Sequence, residues 1–462
     1  MASVDERLAL IRQVGEEIIS EEELQALLKE KKSFVAYDGF EPSGRIHIAQ
    51  AVLRAINVNR MIRAGAQFTM FVADWHAWAN NKLGGDLEKI QTTGKYFIEV
   101  WKASGMDLKH VTFIWASELV QDDAYWKKVM QVATATTLKR VLRTTQIMGR
   151  SEHDQLQASQ ILYPCMQAAD IFHLKADVCQ LGMDQRKVNV LARELAGKLN
   201  EKKPIIVSHH MLMGLQEPLG PSIINTLPKL ADKGLSKGDE IAALFPYFLK
   251  IEDISNNTVI FKYNDSEKIN TTLTRHIIRK NNLDLNKEIE RDSDLDEHSP
   301  YLNIRFVQDK KGRIRAYIRR LTTTIERTLA MKMSKSKPDT AIFVTDSKED
   351  VERKLKKAYC PEGEANENPI LEYCRYIVFA KLEEWNEPFR IERPEKFGGN
   401  VTFKDYAALE RAFTEKKLHP MDLKTATAKY INRLLDPIRK HFAKDKEAKR
   451  LQEQVASFQV TR

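Results

Sequence analysis

Between residues 34 and 73 the chain alternates in a way few folds accommodate. A short apolar run, Phe34-Val35-Ala36-Tyr37, leads into Gly39-Phe40-Glu41-Pro42-Ser43-Gly44. Two glycines and a proline break both the helical and the strand period, so this stretch is a loop. A helix is expected from about Arg45 to Arg63, and a second apolar strand from Phe68 to Ala73. Strand, Gly-rich loop, helix, strand is the unit of a parallel α/β sheet, because parallel strands need a crossover to connect them.

The alternation continues. Helices are expected over Asp86–Ala103, Asp122–Arg150 and Gln185–Leu199, and strands at Val111–Trp115 and Ile205–Ser208. A run rich in small and apolar residues fills Ile161–Asp177. The chain opens on an expected helix, Val4–Ile19, and Ser20 with Glu23 forms a capping-box pattern for the next one. From Val351 onward the pattern is helical and ends in the basic segment Arg433–Arg450.

Pro218 to Ala330 differs. Asp284–Glu297 is acidic, whereas Tyr301–Ala330 is strongly basic. Two strand-like runs, Ile304–Gln308 and Arg313–Ile318, flank Asp309-Lys310-Lys311-Gly312 and read as a hairpin. With Ile241–Leu249 and Val259–Phe261 also apolar, a folded appendage is expected here, since unstructured loops of such length are uncommon in compact domains.

At 462 residues, the chain is long enough for two or three domains. Hydrophobic residues at 43% and charged residues at 30% exclude disorder and low-complexity classes. No apolar run reaches membrane-spanning length, and the segment Met1–Arg12 carries Asp5 and Glu6 and has no cleavable apolar core. Cytosol is the default compartment. Cys165, Cys179, Cys360 and Cys374 form no CxxC pair, so they read as buried apolar groups and no tightly bound metal is expected. The net charge of +9 permits a polyanionic partner without demanding one.

Two segments carry chemistry. Gly44-Arg45-Ile46-His47-Ile48-Ala49-Gln50 enters a helix after the first strand. Free N–H groups and a positive dipole end there suit a phosphate, and His47 can donate to it. Lys332-Met333-Ser334-Lys335-Ser336-Lys337 places three lysines on a loop that can neutralise charge building on a leaving pyrophosphate. A solvated linker is the plainer reading of such a run.

Together these segments resemble the paired HIGH and KMSKS signatures of class I aminoacyl-tRNA synthetases. Further stretches narrow the resemblance to the tyrosyl-tRNA synthetases of eukaryotic and archaeal type. They are Tyr37–Gly44, Tyr163-Pro-Cys-Met-Gln-Ala-Ala-Asp170, Gly182-Met-Asp-Gln-Arg-Lys187, Arg393–Gly399 and Leu418–Lys424. The match covers about residues 15–217 and 331–443. It implies a Rossmann-like parallel-sheet α/β catalytic domain with an inserted segment, and a C-terminal helical anticodon-binding domain. The expected divisions are an N-terminal helical segment over 1–30, the catalytic domain over 31–217 with a dimerisation insert near 111–160, the atypical insertion over 218–330, the KMSKS loop and linker over 331–358, and the helical domain over 359–462.

The activity this resemblance implies is tyrosine activation with ATP and magnesium, then transfer of tyrosine to tRNA(Tyr), by a cytoplasmic homodimer without membrane attachment. By motif position, His47, Lys332 and Lys335 are the expected catalytic groups. Tyr37 and Asp170 would meet the tyrosine hydroxyl; Tyr163, Gln167 and Gln185 its amino end; and Gly39 and Glu41 the loop beneath it. Gly44, His47, Gln50, Gly182, Asp184, Lys332, Ser334 and Lys335 would bind ATP. Arg143 would read the first acceptor base pair, and Phe397, His419 and Asp422 would hold the first anticodon base.

Ala49 and Gln50 stand where the strict signature has Gly and His, and Leu181 stands where many members have Gly. Roughly a hundred residues, Pro218 to Ala330, exceed the usual passage to the lysine loop. A tryptophanyl enzyme, a catalytically dead RNA-binding paralogue and a nucleotide-binding regulatory domain are the alternative readings.

Overall fold

The computed structural model describes residues 2–149, 155–218, 331–333 and 338–458, together with the backbone of the strands between 240 and 321. Two compact units divide the chain, Met1–Gln216 with Lys332–Arg462, and Glu217–Met331.

In the larger unit, α1 (Val4–Arg12) starts at a capping box between Ser3 and Glu6. The helix expected to run on to Ile19 stops at Arg12, and Gly15–Ile19 forms β1 instead. The reason is tertiary. Ile18 and Ile19 lie across from Val207 and Ile206 on a sheet edge that would otherwise present unpaired main-chain groups. Then α2 (Glu21–Glu30) follows its Ser20 cap. Buried Arg7 ties these pieces down by donating to the carbonyls of Leu28, Lys31, Lys32 and Ala64.

Strand β2 (Phe34–Phe40) precedes the Gly-rich loop, and α3 (Arg54–Arg63) follows a π-helical turn at Ala49–Leu53. The helix expected from Arg45 therefore begins later. Before Ile48, which is already helical, the backbone bonds sideways: His47 bridges to Phe343, Ile48 N donates to Ile342 O at 2.9 Å, and Val344 N to Ile46 O at 3.2 Å.

Next come β3 (Ala66–Val72), α4 (Asp74–Ala79), α5 (Leu87–Ala103), β4 (Val111–Trp115) and α6 (Ala116–Leu119). The long helix expected over 122–150 is instead α7 (Asp123–Ala135), α8 (Leu138–Thr144) and a 3-10 turn, because Thr137 caps a fresh start by accepting from Arg140 N. Finally, α9 (Ala158–His173), β5 (Val178–Cys179), α10 (Arg186–Ala196) and β6 (Ile205–His209) complete this half.

The sheet order is β1-β6-β5-β2-β3-β4, parallel except for β1. Alternate residues of β3 feed two apolar cores. Phe68, Met70 and Val72 join one with Ile46, Ile56 and Trp101, and Phe71 joins the other with Tyr125, Ile171 and Leu191. All four cysteines are buried and free.

The smaller unit is described by its strands. Strands β7 (Glu240–Ala242), β8 (Phe248–Ser255), β9 (Thr258–Asn264) and β10 (Ile277–Arg279) form an antiparallel sheet in the order β10-β9-β8-β7. Strands β11 (Tyr301–Gln308) and β12 (Ile314–Leu321) pair antiparallel over their full length, as the hairpin pattern predicts. The intervening turn residues and the acidic stretch 284–297 lie outside the described residues.

After Lys332 the chain rejoins the larger unit. It forms α11 (Lys348–Lys357), α12 (Pro369–Tyr373), α13 (Phe379–Trp385), a small hairpin of β13 (Phe389–Ile391) and β14 (Val401–Phe403), α14 (Tyr406–Thr414), α15 (Pro420–Lys444) and α16 (Lys446–Ser457). That hairpin interrupts a region otherwise helix-rich, as expected. Its Phe389 is fully buried and stacks on Phe379 and Tyr430, which rewards a strand pair there over another helical turn.

Candidate active site

In a sheet ordered this way, successive strands run outward from β2 on one side and from β5 on the other. The gap at their carboxyl ends is a switch point, where open α/β sheets bind ligands. A cavity of about 700 Å³ opens there. It is lined by Tyr37, Gly39, Glu41, Tyr163, Gln167, Asp170 and Gln185, and also by His47, Gln50, Gly182, Asp184 and Lys332. Residues far apart in sequence, expected to serve two substrates, thus share one space. Gly44 does not line this space; its φ of 111° lets the loop turn between Ser43 and Arg45. Ser334 and Lys335 lie outside the described residues.

The Asp170 carboxylate is buried at the cavity floor. Tyr125 Oη donates to its Oδ1 at 2.9 Å, and His76 Nε2 sits 3.0 Å from its Oδ2. Burial works against a charged His76. The carboxylates of Asp170, Glu41 and Asp74 outweigh it and hold the imidazole pKa above its usual value. Tyr37 is also buried, and burial followed by the nearby Asp170 charge pushes its phenol well up, so it is a neutral O–H donor. Tyr163 is raised in the same way, by burial and then Glu41.

Above this floor the polar groups converge. Gln167 Nε2 donates to Gln185 Oε1 at 3.1 Å, and Gln185 Nε2 to Ile147 O at 3.1 Å. Gln167 Oε1 remains a buried acceptor with no hydrogen bond from the protein. Glu41 accepts from Asn80 Nδ2 at 2.9 Å and lies 3.6 Å from Lys82 Nζ. Such a ring of oxygens suits an ammonium group.

Toward the mouth, Lys332 Nζ donates to Asp184 Oδ2 at 3.0 Å. A Cβ at Gly182 would lie 2.5 Å from Asp184 Oδ1 and 2.6 Å from Met211 Sδ, so a larger residue there would displace those side chains. Leu181, by contrast, is fully buried in the apolar core. The Gly-Arg-Ile-His segment is fixed from outside as well: Arg45 pairs with Asp346 at 2.9 Å and lies 4.1 Å over the Phe343 ring.

Several lining or supporting groups carry no motif. His76 and Tyr125 are a lone histidine and a lone tyrosine in sequence. Arg54, Asp38, Gln180 and His209 form a buried network beneath the site, with Arg54 Nη1 2.8 Å from Asp38 Oδ2 and 3.2 Å from His209 Nδ1. Burial pushes the Asp38 carboxyl up to about 7 against the pull of Arg54. Asp38 lies within the Tyr37–Gly44 stretch, but only the topology brings Arg54, Gln180 and His209 to it, and no local signal singles those three out.

The expected RNA contacts are not part of the cavity. Arg143 is exposed on α8. Phe397 is 60% exposed on a 3-10 turn, with Lys396 Nζ 5.0 Å from its ring centroid. His419 caps α15, its Nδ1 accepting from Met421 N at 3.1 Å, and Asp422 lies in the first turn. Arg393 joins these pieces: its Nε donates to Gly399 O at 2.6 Å, and its Nη1 lies 4.0 Å from Asp422 Oδ2. Phe397 and Asp422 thus belong to one local surface, whereas Arg143 stands on the catalytic half.

The family model for tRNA synthetases class I (W and Y) matches residues 29–222 and 267–436, and the chain belongs to that family. Its break at 223–266 falls within the segment that reads as extra, and the match resumes before that segment ends. The relatives fall on the tyrosyl side of the family. A cytoplasmic tyrosine–tRNA ligase 1 of Arabidopsis thaliana is 40% identical, over 99% of this chain and 90% of its own. The tyrosyl-tRNA synthetase of Pyrococcus horikoshii, solved with L-tyrosine, superposes with a TM-score of 0.71 at 32% identity, covering 98% of this chain and all of that one. That of Leishmania major, solved with tyrosinol, gives 0.70 at 34% identity; the chain covers 61% of that longer protein and is itself covered to 99%. Among the described residues, no helix is long and apolar enough to cross a membrane.

Proposed function

We propose that this chain is a tyrosine–tRNA ligase of the cytoplasm, acting as a homodimer. One observation carries the reading: the single cavity joining the Tyr37–Asp170 floor to the His47 and Lys332 segments. In the first step a tyrosine carboxylate oxygen attacks the α-phosphorus of magnesium-bound ATP. The bond from that phosphorus to the bridging oxygen breaks, and pyrophosphate leaves. In the second step a hydroxyl of the terminal ribose of tRNA(Tyr) attacks the acyl carbon, and AMP leaves. Neither step needs a protein nucleophile, so the work is positioning and charge stabilisation.

The tyrosine hydroxyl is assigned to Tyr37 and Asp170, with Asp170 accepting and Tyr37 donating. Phenylalanine would leave both buried groups unpaired, which penalises the wrong amino acid. The ammonium is assigned to Tyr163, Gln167 and Gln185, supported by the open Gln167 Oε1 acceptor. Gly39 and Glu41 form the wall beside it. For ATP, Gly44, Gln50, Gly182, Asp184 and Ser334 frame the nucleotide, while His47, Lys332 and Lys335 meet the phosphates. Arg143 takes the acceptor end, and Phe397, His419 and Asp422 the first anticodon base, by stacking and hydrogen bonding. Dimerisation through the 111–160 region draws support from Met130 and Leu138, which are 57% and 61% exposed on α7 and α8.

The test is ATP–pyrophosphate exchange with each amino acid in turn, followed by charging of tRNA. Exchange driven by tyrosine alone is expected. Exchange driven by tryptophan would favour the other branch of the family, and none at all a paralogue without catalysis.

A further inference from the structure

His210 ends the segment after β6 and lines the cavity beside Met211, yet no role above uses it. Its ring is gripped from three sides. Nδ1 lies 3.2 Å from Glu16 Oε2 on β1, and Nε2 lies 3.2 Å from Glu372 Oε2 on α12. Tyr376 stacks on its face with centroids 4.3 Å apart. Nδ1 hydrogen-bonds Glu16, whereas Nε2 approaches Glu372 at ion-pair distance without hydrogen-bond alignment, so two carboxylates face one ring and favour imidazolium by charge. Burial opposes that charge, but Glu16 and Glu372 overcome it and lift the pKa to about 9. The other titratable groups facing this cluster are Arg375, whose charge reaches Glu16, and His209, which burial and Arg54 keep neutral.

Glu372 does a second job. The same Oε2 accepts from Met213 N at 2.9 Å. Met213 pairs antiparallel with Lys332, whose Nζ reaches Asp184 in the cavity. The ladder continues from Leu215 N to Thr340 O, and from Tyr359 N to Leu215 O, both at 2.9 Å. One carboxylate from the C-terminal helices therefore holds Met213, the residue that bridges to Lys332.

We propose that Glu372 and His210 are positioning residues for adenylation. Their carboxylate–imidazolium–carboxylate clamp with Glu16 fixes residues 210–213, and through the Met213–Lys332 pairing sets where Lys332 meets the triphosphate. The inference rests on the ligase reading and deepens it: the C-terminal helices hold the ATP end of the site, not the tyrosine end.

The experiment compares wild-type protein with Glu372→Gln and His210→Gln, measuring tyrosine-dependent pyrophosphate exchange and, separately, tyrosine binding by equilibrium dialysis. Each variant is expected to lose about tenfold in exchange kcat/KM for ATP, as misplacement of a positioned group does. Tyrosine affinity should stay within about twofold, because the tyrosine pocket is untouched. Exchange at the wild-type rate in both variants overturns the clamp. Should either lose tyrosine binding as well, the milder Glu16→Gln decides, since Glu16 is 46% exposed. Its exchange rate relative to wild type should fall as pH rises from 7 to 9, with the titration of the substrates cancelling in the ratio. A ratio flat across that range overturns the clamp. Wild-type protein without tyrosine-dependent exchange refutes the ligase reading itself, a separate outcome.

Discussion

Before any substrate arrives, Asp170 is held at Oδ1 by the Tyr125 hydrogen bond and faced at Oδ2 by His76 Nε2 at ion-pair distance, 3.0 Å. A carboxylate fixed in this way keeps its geometry without reorganising, which is what discrimination by one hydroxyl requires. Asp170→Ala should therefore cut activation of tyrosine while phenylalanine suffers much less; equal losses in exchange kcat/KM for the two would remove Asp170 from the hydroxyl. Tyr125→Phe deletes a charge-assisted hydrogen bond worth about 1.5–3 kcal/mol. The KM for tyrosine should rise about tenfold, with kcat nearly unchanged, because Tyr125 is one layer removed from the reacting atoms. An unaltered KM would mean His76 holds Asp170 alone. Tyr163, Gln167 and Asp170 were legible at this scale, since their spacing puts them on one face of α9. Tyr125 and His76 were not, because nothing local distinguishes either from an ordinary core residue.

At the scale of elements, what escaped the sequence was set by pairing across distance. Gly15–Ile19 carries a helix-compatible pattern, and only an edge of β6 makes it a strand. Ile46 and Ile48 likewise bond laterally, to residues 344 and 342, and the helix starts only at Ile48. The parallel strands β2, β3 and β6, by contrast, stood out as apolar runs because both their faces are covered, and β4 stood out as an apolar run although it is only partly buried at the sheet edge. The junction of β1, β6 and α12 has a pH signature. His210 has an unfolded pKa of about 6.5 and a folded value of about 9. Because the folded value is the higher, the stabilising contribution is complete below about pH 6.5 and is lost as pH rises through 9. Urea denaturation at pH 6, 8 and 10 should show stability declining over that span, and Glu372→Gln should flatten the decline. Equal slopes in the two proteins would contradict it.

For the whole molecule, the exposed Met130 and Leu138 lie on α7 and α8, within the 111–160 span proposed for an isologous dimer contact, and the exposed Leu162 lies just beyond it on α9. Light scattering at micromolar protein should give twice the chain mass, and Leu138→Glu should shift it toward the monomer; a wild-type monomer would end that proposal. The smaller unit poses a different question, whether Arg315, Arg319 and Arg320 of hairpin β11–β12 bind RNA phosphates. If they do, reversing all three to Glu should weaken tRNA binding and lower its salt slope by roughly one for each phosphate no longer neutralised. Unchanged affinity and slope, with normal adenylation, would leave the hairpin a solvated face.

The long detour between Gln216 and Lys332 also orders events in time. A ribosome releases β1 through β6 first, then all of Glu217–Met331, and only afterwards the stretch that lies against residues 46 and 48. At about 5–20 residues per second, that interval is on the order of ten seconds. Ile46 and Ile48, fully buried in the finished protein, wait through it beside a half-built nucleotide pocket. The nascent chain is thus stickiest just where it will later be most exact, and any pause in translating the smaller unit should lengthen its dependence on chaperones.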